Sequence, residues 1–174
     1  MITYREANLQ DIPHIQSVAQ EVWPETFGPL MSAAQLNYMM GAMYSTQSLY
    51  QQMNDLGHRY LLAFEGDKAL AYCAYELYFR MQNQVMMHKL YLRPSAQGKG
   101  IGSALLEQLM HIASHNHQES IRLQVLHSNQ KAYHFYQKKG FQKTGEEYNV
   151  LGDDMGRFLD FVMTKAVPKH AIRP

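Results

Sequence analysis

Apolar positions along the chain follow two periods, and their alternation predicts a mixed α/β domain. Ile12, Ile15, Val18, Ala19 and Val22 recur at helical spacing. Asp11 stands where an N-cap belongs, and Pro13 falls in the first turn, where its missing N–H costs little. The helix is expected to end before Pro24, because the residue ahead of a proline is steered out of the helical region. Trp23 to Pro29 then reads as a loop with two large aromatics. Ser32 is placed to cap a second helix reaching about Met40, Gly41 breaks the pattern, and Thr46 to Leu56 is helical again.

Beyond Gly57 the period changes. Arg59 to Glu65, Lys68 to Phe79, Val85 to Leu92, Ile121 to Leu126, a segment from Phe141 and Phe158 to Thr164 read as strands, as does Ile2 to Arg5 at the start of the chain. Gly66 and Asp67 occupy the two central positions of a tight hairpin. Ile101, Ala104, Leu105, Leu109 and Ile112 mark one face of a helix ending near His117. Asn129 to Lys138 is a further helix, stopped by Gly140. The strand–helix–strand run over residues 85–126 predicts a right-handed parallel crossover. No repeat, low-complexity tract or linker divides the chain, so its 174 residues are expected to form one domain.

Composition narrows the classes. With 46% apolar and 18% charged residues the chain has the makings of a packed core. A net charge of +1 speaks against a general nucleic-acid binder, which needs a basic face. The lone cysteine, Cys73, excludes an intrachain disulfide. The N-terminus carries neither signal nor transit character, and no apolar run approaches the roughly 20 residues of a bilayer span. The expectation is a cytoplasmic protein with no membrane and no nucleic-acid partner.

The chemical signal lies at Leu90-Tyr91-Leu92-Arg93-Pro94 running into Gln97-Gly98-Lys99-Gly100-Ile101-Gly102-Ser103. A strand feeds a glycine-rich turn, and the turn feeds a helix. The first amides of a helix lack partners and attract an anion, at roughly 0.3–1 kcal/mol per charge at an exposed site. Glycines let phosphate oxygens approach the backbone. The spacing fits neither a dinucleotide fingerprint, since Ser103 and Leu105 fall where a third glycine is needed, nor a Walker loop, since Gly100 follows Lys99.

Gln97-x-x-Gly100-x-Gly102 resembles the signature of the GNAT superfamily of acetyl-CoA-dependent N-acetyltransferases. Asn129-Gln130-Lys131-Ala132-Tyr133-His134-Phe135-Tyr136-Gln137-Lys138-Lys139-Gly140-Phe141 is similar to a second block of that family. The resemblance implies the GNAT fold: a mostly antiparallel sheet of about seven strands with a splayed parallel pair, flanked by helices. It implies that Gln97, Gly98, Lys99, Gly100, Ile101 and Gly102 hold the coenzyme A pyrophosphate, with Ser103 among the cofactor-binding residues. The backbone of Leu90, Tyr91 and Leu92 would pair with the pantetheine arm as an added strand. Asn129 and Ala132 would line that arm, and Tyr136 would face the thioester sulfur. The implied activity is direct transfer of an acetyl group to an amine, with acetyl-CoA as cofactor and no metal. A non-catalytic acyl-CoA-binding module of the same fold is the alternative. Dimerisation is common in the family, so a homodimer belongs to the expectation.

The attacking amine must lose a proton and the leaving thiolate must gain one. Tyr136 is the candidate acid. For the base, His88 stands where many relatives carry a glutamate, and an imidazole suits the task; Glu76 is a further candidate. Trp23, Phe27 and Met31, with Glu76 and Tyr78, are expected to form the acceptor side, joined by Tyr38 and by the charges of Glu21 and Glu25. The aromatic, methionine-rich N-terminal region is similar to small bacterial acetyltransferases acting on polyamines; ordinary packing explains the same residues. His111 and His115 share a helix face, with His117 nearby, but lack a completing ligand and read as solvated. Cys73 is expected to be buried and inert, Asp153-Asp154 a surface turn, and the tail after Pro168 loosely ordered.

Overall fold

The structure, a computed structural model, describes residues 1–152 and 154–169. The elements in chain order are β1 (Ile2–Glu6), α1 (Ile12–Phe27), α2 (Ala33–Tyr44), α3 (Thr46–Asn54), β2 (Arg59–Glu65), β3 (Lys68–Glu76), β4 (Gln84–Leu92), α4 (Ile101–His115), β5 (Ser120–Leu126), α5 (Gln130–Lys138), β6 (Gln142–Val150) and β7 (Arg157–Ala166). The strands form one seven-stranded sheet in the order β1-β2-β3-β4-β5-β7-β6. Every neighbouring pair is antiparallel except β4 and β5. Alternate strand residues point to opposite faces, so the sheet separates two cores. One face packs Tyr75, Met87, Leu105, Leu109 and Leu123 with α4 and α5. The other packs Tyr60, Leu62 and Tyr72 against Ile15, Val18 and Trp23 of α1 and Leu49 of α3.

Several sequence expectations are corrected. Helix α1 does not stop before Pro24; it continues to Phe27, with Gly28 N–H bonded to the Pro24 carbonyl at 3.0 Å. An interior proline costs about 3 kcal/mol. Burial of Trp23 and Phe27, whose rings lie 4.3 Å apart, offsets this, at about 1.5–3 kcal/mol per large apolar side chain. Helix α2 runs through the exposed Gly41 to Tyr44. Asp11 makes no cap bond to α1. Its carboxylate instead accepts from the Asn8 N–H and from Arg5, because a short 3-10 turn capped by Asn8 precedes the helix. Strand β3 ends at Glu76 rather than Phe79, since Tyr78, Arg80 and Met81 all have φ above 50°. Ser32 does cap α2, in a reciprocal capping box with Gln35. Asp153 and the tail residues 170–174 lie outside the described residues; Asp154 is exposed.

Two irregularities position the site. The β4–β5 ladder pairs Gln84–Met87 with Ser120–Leu123 and stops there. From His88 onward the edge of β4 that faces β5 has no strand partner, and a slot opens between the two strands. On its other edge β4 skips one residue in its register with β3, from Tyr75↔Met87 to Ala74↔Lys89. His88 is the extra residue of this bulge, a device that re-aims side chains.

Candidate active site

The slot is lined by Phe27, His88, Leu90, Tyr91, Gln124, Asn129 and Tyr136, among others. It adjoins a cleft of about 450 Å³ bounded by Leu90 to Leu92, Gln97, Gly98, residues 100–103 and Tyr136. Helix α4 starts after Gly100, whose φ is +77°, and no side chain caps it. The first intrahelical bond runs from Ala104 N–H to the Gly100 carbonyl, which leaves the amides of Ile101, Gly102 and Ser103 free of intrahelical bonds. Gly98, with φ +73°, and Gly100 have open space where a Cβ would sit. This geometry is a cradle for an anion at a helix N-terminus. Gly102 differs: it is buried, and a Cβ there would meet Phe135 at 3.5 Å. Lys99 is exposed and outside the cleft lining, whereas Lys131, not singled out from the sequence, lines it and donates to Gln97 at 3.0 Å.

Asn129 caps α5 through its side-chain oxygen, which accepts from Ala132 N–H at 3.3 Å and leaves the amide NH₂ for a ligand. Tyr136 is buried with Phe135 and Phe141 edge-on at 5.3 and 5.8 Å. Among the described residues its hydroxyl has no hydrogen-bond partner, and the residue lines both slot and cleft. Burial pushes its pKa well above the ordinary tyrosine value, so the hydroxyl keeps its proton.

His88 lies beside the slot with Nε2 2.9 Å from Glu76 Oε2. Burial, and then the charge of Lys89, push its pKa down to about 4. The contact is thus a neutral imidazole beside a carboxylate; an ionised carboxylate only accepts, which assigns the ring proton to Nε2 and the lone pair to Nδ1. His58, which the sequence did not flag, stacks on His88 with centroids 4.0 Å apart. Lys89 was also missed. It is buried, and donates to Gln52 and to the Tyr60 hydroxyl, both at 2.7 Å. Burial lowers its pKa from 10.5 to about 7.

The Lys89 shift carries a stability consequence. Between pH 7 and 10 the folded state holds fewer protons at this site than the unfolded chain, so this group makes stability rise with pH. In chelator-treated buffer, denaturant unfolding at pH 7 and 9.5 should show wild type gaining stability relative to Lys89→Met. Each unit of displacement is worth about 1.4 kcal/mol. Parallel behaviour of the two proteins would refute the depressed pKa.

The predicted acceptor residues are only partly assembled. Phe27 lines the slot, and Glu76 reaches it through His88. Trp23 is buried behind it, with its indole N–H bonded to Tyr44 at 2.9 Å, and supports Tyr91 and Phe27 rather than facing the slot. Met31 is half-buried against the α1 core. Tyr78 is not at the slot: its hydroxyl donates to the Asn116 carbonyl beyond the C-terminus of α4. Tyr38 packs on Gly152, Glu21 is paired with Arg93, and Glu25 lines an outer recess beside Lys131. Cys73 is buried, which pushes its thiol up to about 12, and His111, His115 and His117 are exposed, as expected.

A splayed parallel pair, a glycine cradle at a helix start and a tyrosine at the end of the slot define a class of acyl-CoA-dependent transferase. Residues 15–141 match the model of the Acetyltransferase (GNAT) family, and the chain belongs to that family. It is 25% identical over 145 residues to the spermidine N(1)-acetyltransferase of Thermoplasma acidophilum, covering 81% of this chain and 88% of that protein. It is 26% identical over 164 residues to an uncharacterized N-acetyltransferase in the pepI 3′ region of Lactobacillus delbrueckii subsp. lactis, covering 91% and 93%. The PaiA N-acetyltransferase of T. acidophilum, solved in complex with coenzyme A, superposes with a TM-score of 0.79 at 24% identity, covering 95% of this chain and 99% of that one. A ribosomal-protein-alanine N-acetyltransferase of Escherichia coli gives 0.74 at 17% identity, covering 100% and 99%. These two likenesses establish the fold. Among the described residues no helix is long and apolar enough to cross a membrane.

Proposed function

We propose that the whole chain acts as one transferase that moves the acetyl group of acetyl-CoA directly to a primary amine, the acceptor being a small, polyamine-like amine. The observation that carries this reading is the open slot ending at the Tyr136 hydroxyl, unpartnered among the described residues, and continuous with the glycine cradle. Support for a cationic acceptor comes from the relative named for spermidine and from carboxylates on the α1–α3 side of the sheet. Glu76 stands there, and Asp160 lies opposite Glu147 in the β6–β7 ladder; Glu147 is itself held by Arg122, Arg80 and Gln124. Burial, and more weakly the charge of Glu147, raise the Asp160 pKa.

Acetyl-CoA, when bound, supplies the activated thioester. The amides of residues 101–103 hold its pyrophosphate, with Lys131 adding positive charge at the cleft wall. The free edge of Leu90 to Leu92 aligns the pantetheine arm, with Asn129 opposite. His88, pinned at Nε2 by Glu76, takes the proton of the attacking amine on Nδ1; burial and Lys89 depress its basicity below that of a free imidazole, and the Glu76 carboxylate offsets this by stabilising the imidazolium that results. Tyr136 gives its proton to the departing sulfur and excludes bulk water from the end of the slot.

The test is thiol release from acetyl-CoA across a panel of polyamines, monoamines and peptides. The expected result is preferential turnover of polyamines. Thermal stabilisation by coenzyme A with no thiol released on any amine would favour the non-catalytic module. His88→Ala should lower kcat by about 10²-fold, within the range for general bases, with acetyl-CoA affinity retained; unchanged kcat would move the base elsewhere.

A further inference from the structure

We infer that His58, Glu76 and His88 form a binding site for a divalent transition-metal ion of the zinc type, and that an ion held there withdraws His88 from catalysis. The second half rests on the reading of His88 as the base; the first does not.

Three separate stretches of chain bring these residues together: the entry to β2, the end of β3 and the bulge of β4. One ligand atom from each falls within 4.8 Å of the other two. Glu76 Oε2 lies 2.9 Å from His88 Nε2 and 3.7 Å from His58 Nε2. Zinc bonds of about 2.0–2.2 Å in a tetrahedron put neighbouring ligand atoms about 3.3 Å apart. The two separations bracket that value, and the third pair, His58 with His88, lies within 4.8 Å; because the two rings stack nearly parallel at 4.0 Å, one ring must turn out of the stack for both lone pairs to meet one ion. All three side chains are accessible, at 14%, 25% and 21% exposure for His58, Glu76 and His88.

His58 is the observation that packing leaves unexplained. Among the described residues neither of its ring nitrogens makes a hydrogen bond. Nε2 is 3.7 Å from the carboxylate, and Nδ1 is buried with no partner. A neutral imidazole has one lone pair to offer; an ion would take it at Nε2, the atom beside Glu76, with the ring proton on Nδ1. A phenyl ring would stack on His88 equally well, so stacking does not require histidine. Two imidazoles and one carboxylate suit zinc and its neighbours, with a fourth position open to water; calcium and magnesium call for oxygen donors. The Lys89 ammonium acts on both rings and weakens binding without removing a ligand.

The consequence for transfer follows from the ring's two nitrogens. An ion bonded to His88 Nε2 displaces the proton from that atom. The neutral ring then carries its proton on Nδ1, which can no longer accept one from the amine.

The experiment titrates metal-stripped protein with Co²⁺ by absorption spectroscopy and with Zn²⁺ by calorimetry, alongside thiol release. One ion per chain is expected, with Zn²⁺ inhibiting turnover. His58→Phe keeps the ring stack and Glu76→Gln keeps the shape. Each should weaken binding by at least about 10–100-fold, the range already seen when only an outer-shell partner is lost. His58→Phe should keep basal turnover and lose Zn²⁺ inhibition; retained coenzyme A binding shows that each variant is folded. Absence of binding, affinity unchanged in both variants, or binding abolished by His111→Ala instead would overturn the site. An ion bound at the site that spares turnover would overturn its inhibitory role and the assignment of His88 as base, leaving the site itself standing.

Discussion

Tyr136→Phe is expected to lower kcat by about 10²–10³-fold while the dissociation constant for acetyl-CoA changes by less than about twofold. The substitution removes one oxygen and leaves the ring contacts with Phe135 and Phe141 in place. Among the described residues that oxygen holds no protein hydrogen bond, so no buried partner is orphaned and the unfolding midpoint should not fall. What is lost is the proton that burial keeps on the phenol. Stopped-flow or steady-state thiol release reads kcat, and calorimetry reads affinity. Turnover and affinity falling together would mark Tyr136 as a packing residue and remove the acid from the mechanism.

Gly100→Glu should weaken coenzyme A binding by at least about 100-fold, or about 2.7 kcal/mol. Two causes add. The backbone at φ +77° disfavours any Cβ, at roughly 1–2 kcal/mol. The new carboxylate also enters the space where the α4 amides face the cleft, placing negative charge where an anion must sit. The strain alone should lower the unfolding midpoint by only a few degrees for a chain of this size. Loss of binding out of proportion to that shift therefore reports the cradle. Binding that survives would put the pyrophosphate elsewhere. Gly98→Ala makes a milder comparison, with the same backbone strain and no added charge.

Much of this protein is legible without coordinates, because the relevant physics is local. A positive φ asks for glycine, a helix start leaves amides unpaired, and the two hydrophobic periods separate helix from strand. Residues 97–103 and the face of α4 therefore follow from neighbours in the chain, as do the Ser32 cap and the stop at Gly140. Other features depend on partners far away in sequence. Whether α1 ends at Pro24 turns on the burial available to Trp23 and Phe27, and that same burial takes Trp23 away from the acceptor side. His88 acquires its surroundings from a one-residue bulge against β3, which no pattern within β4 announces. The bulge sets it beside Glu76 and His58, and Lys89 beside Gln52 and Tyr60. Tyr78 is carried off the site because β3 ends early in left-handed residues. The sequence by itself determined most of the elements and the glycine turn that opens α4, and it singled out Tyr136 as the candidate acid. Ladder register and the packing of the two cores decided which side chains surround the reacting atoms, since a shift of one residue redirects a strand side chain and only long-range contacts set that shift.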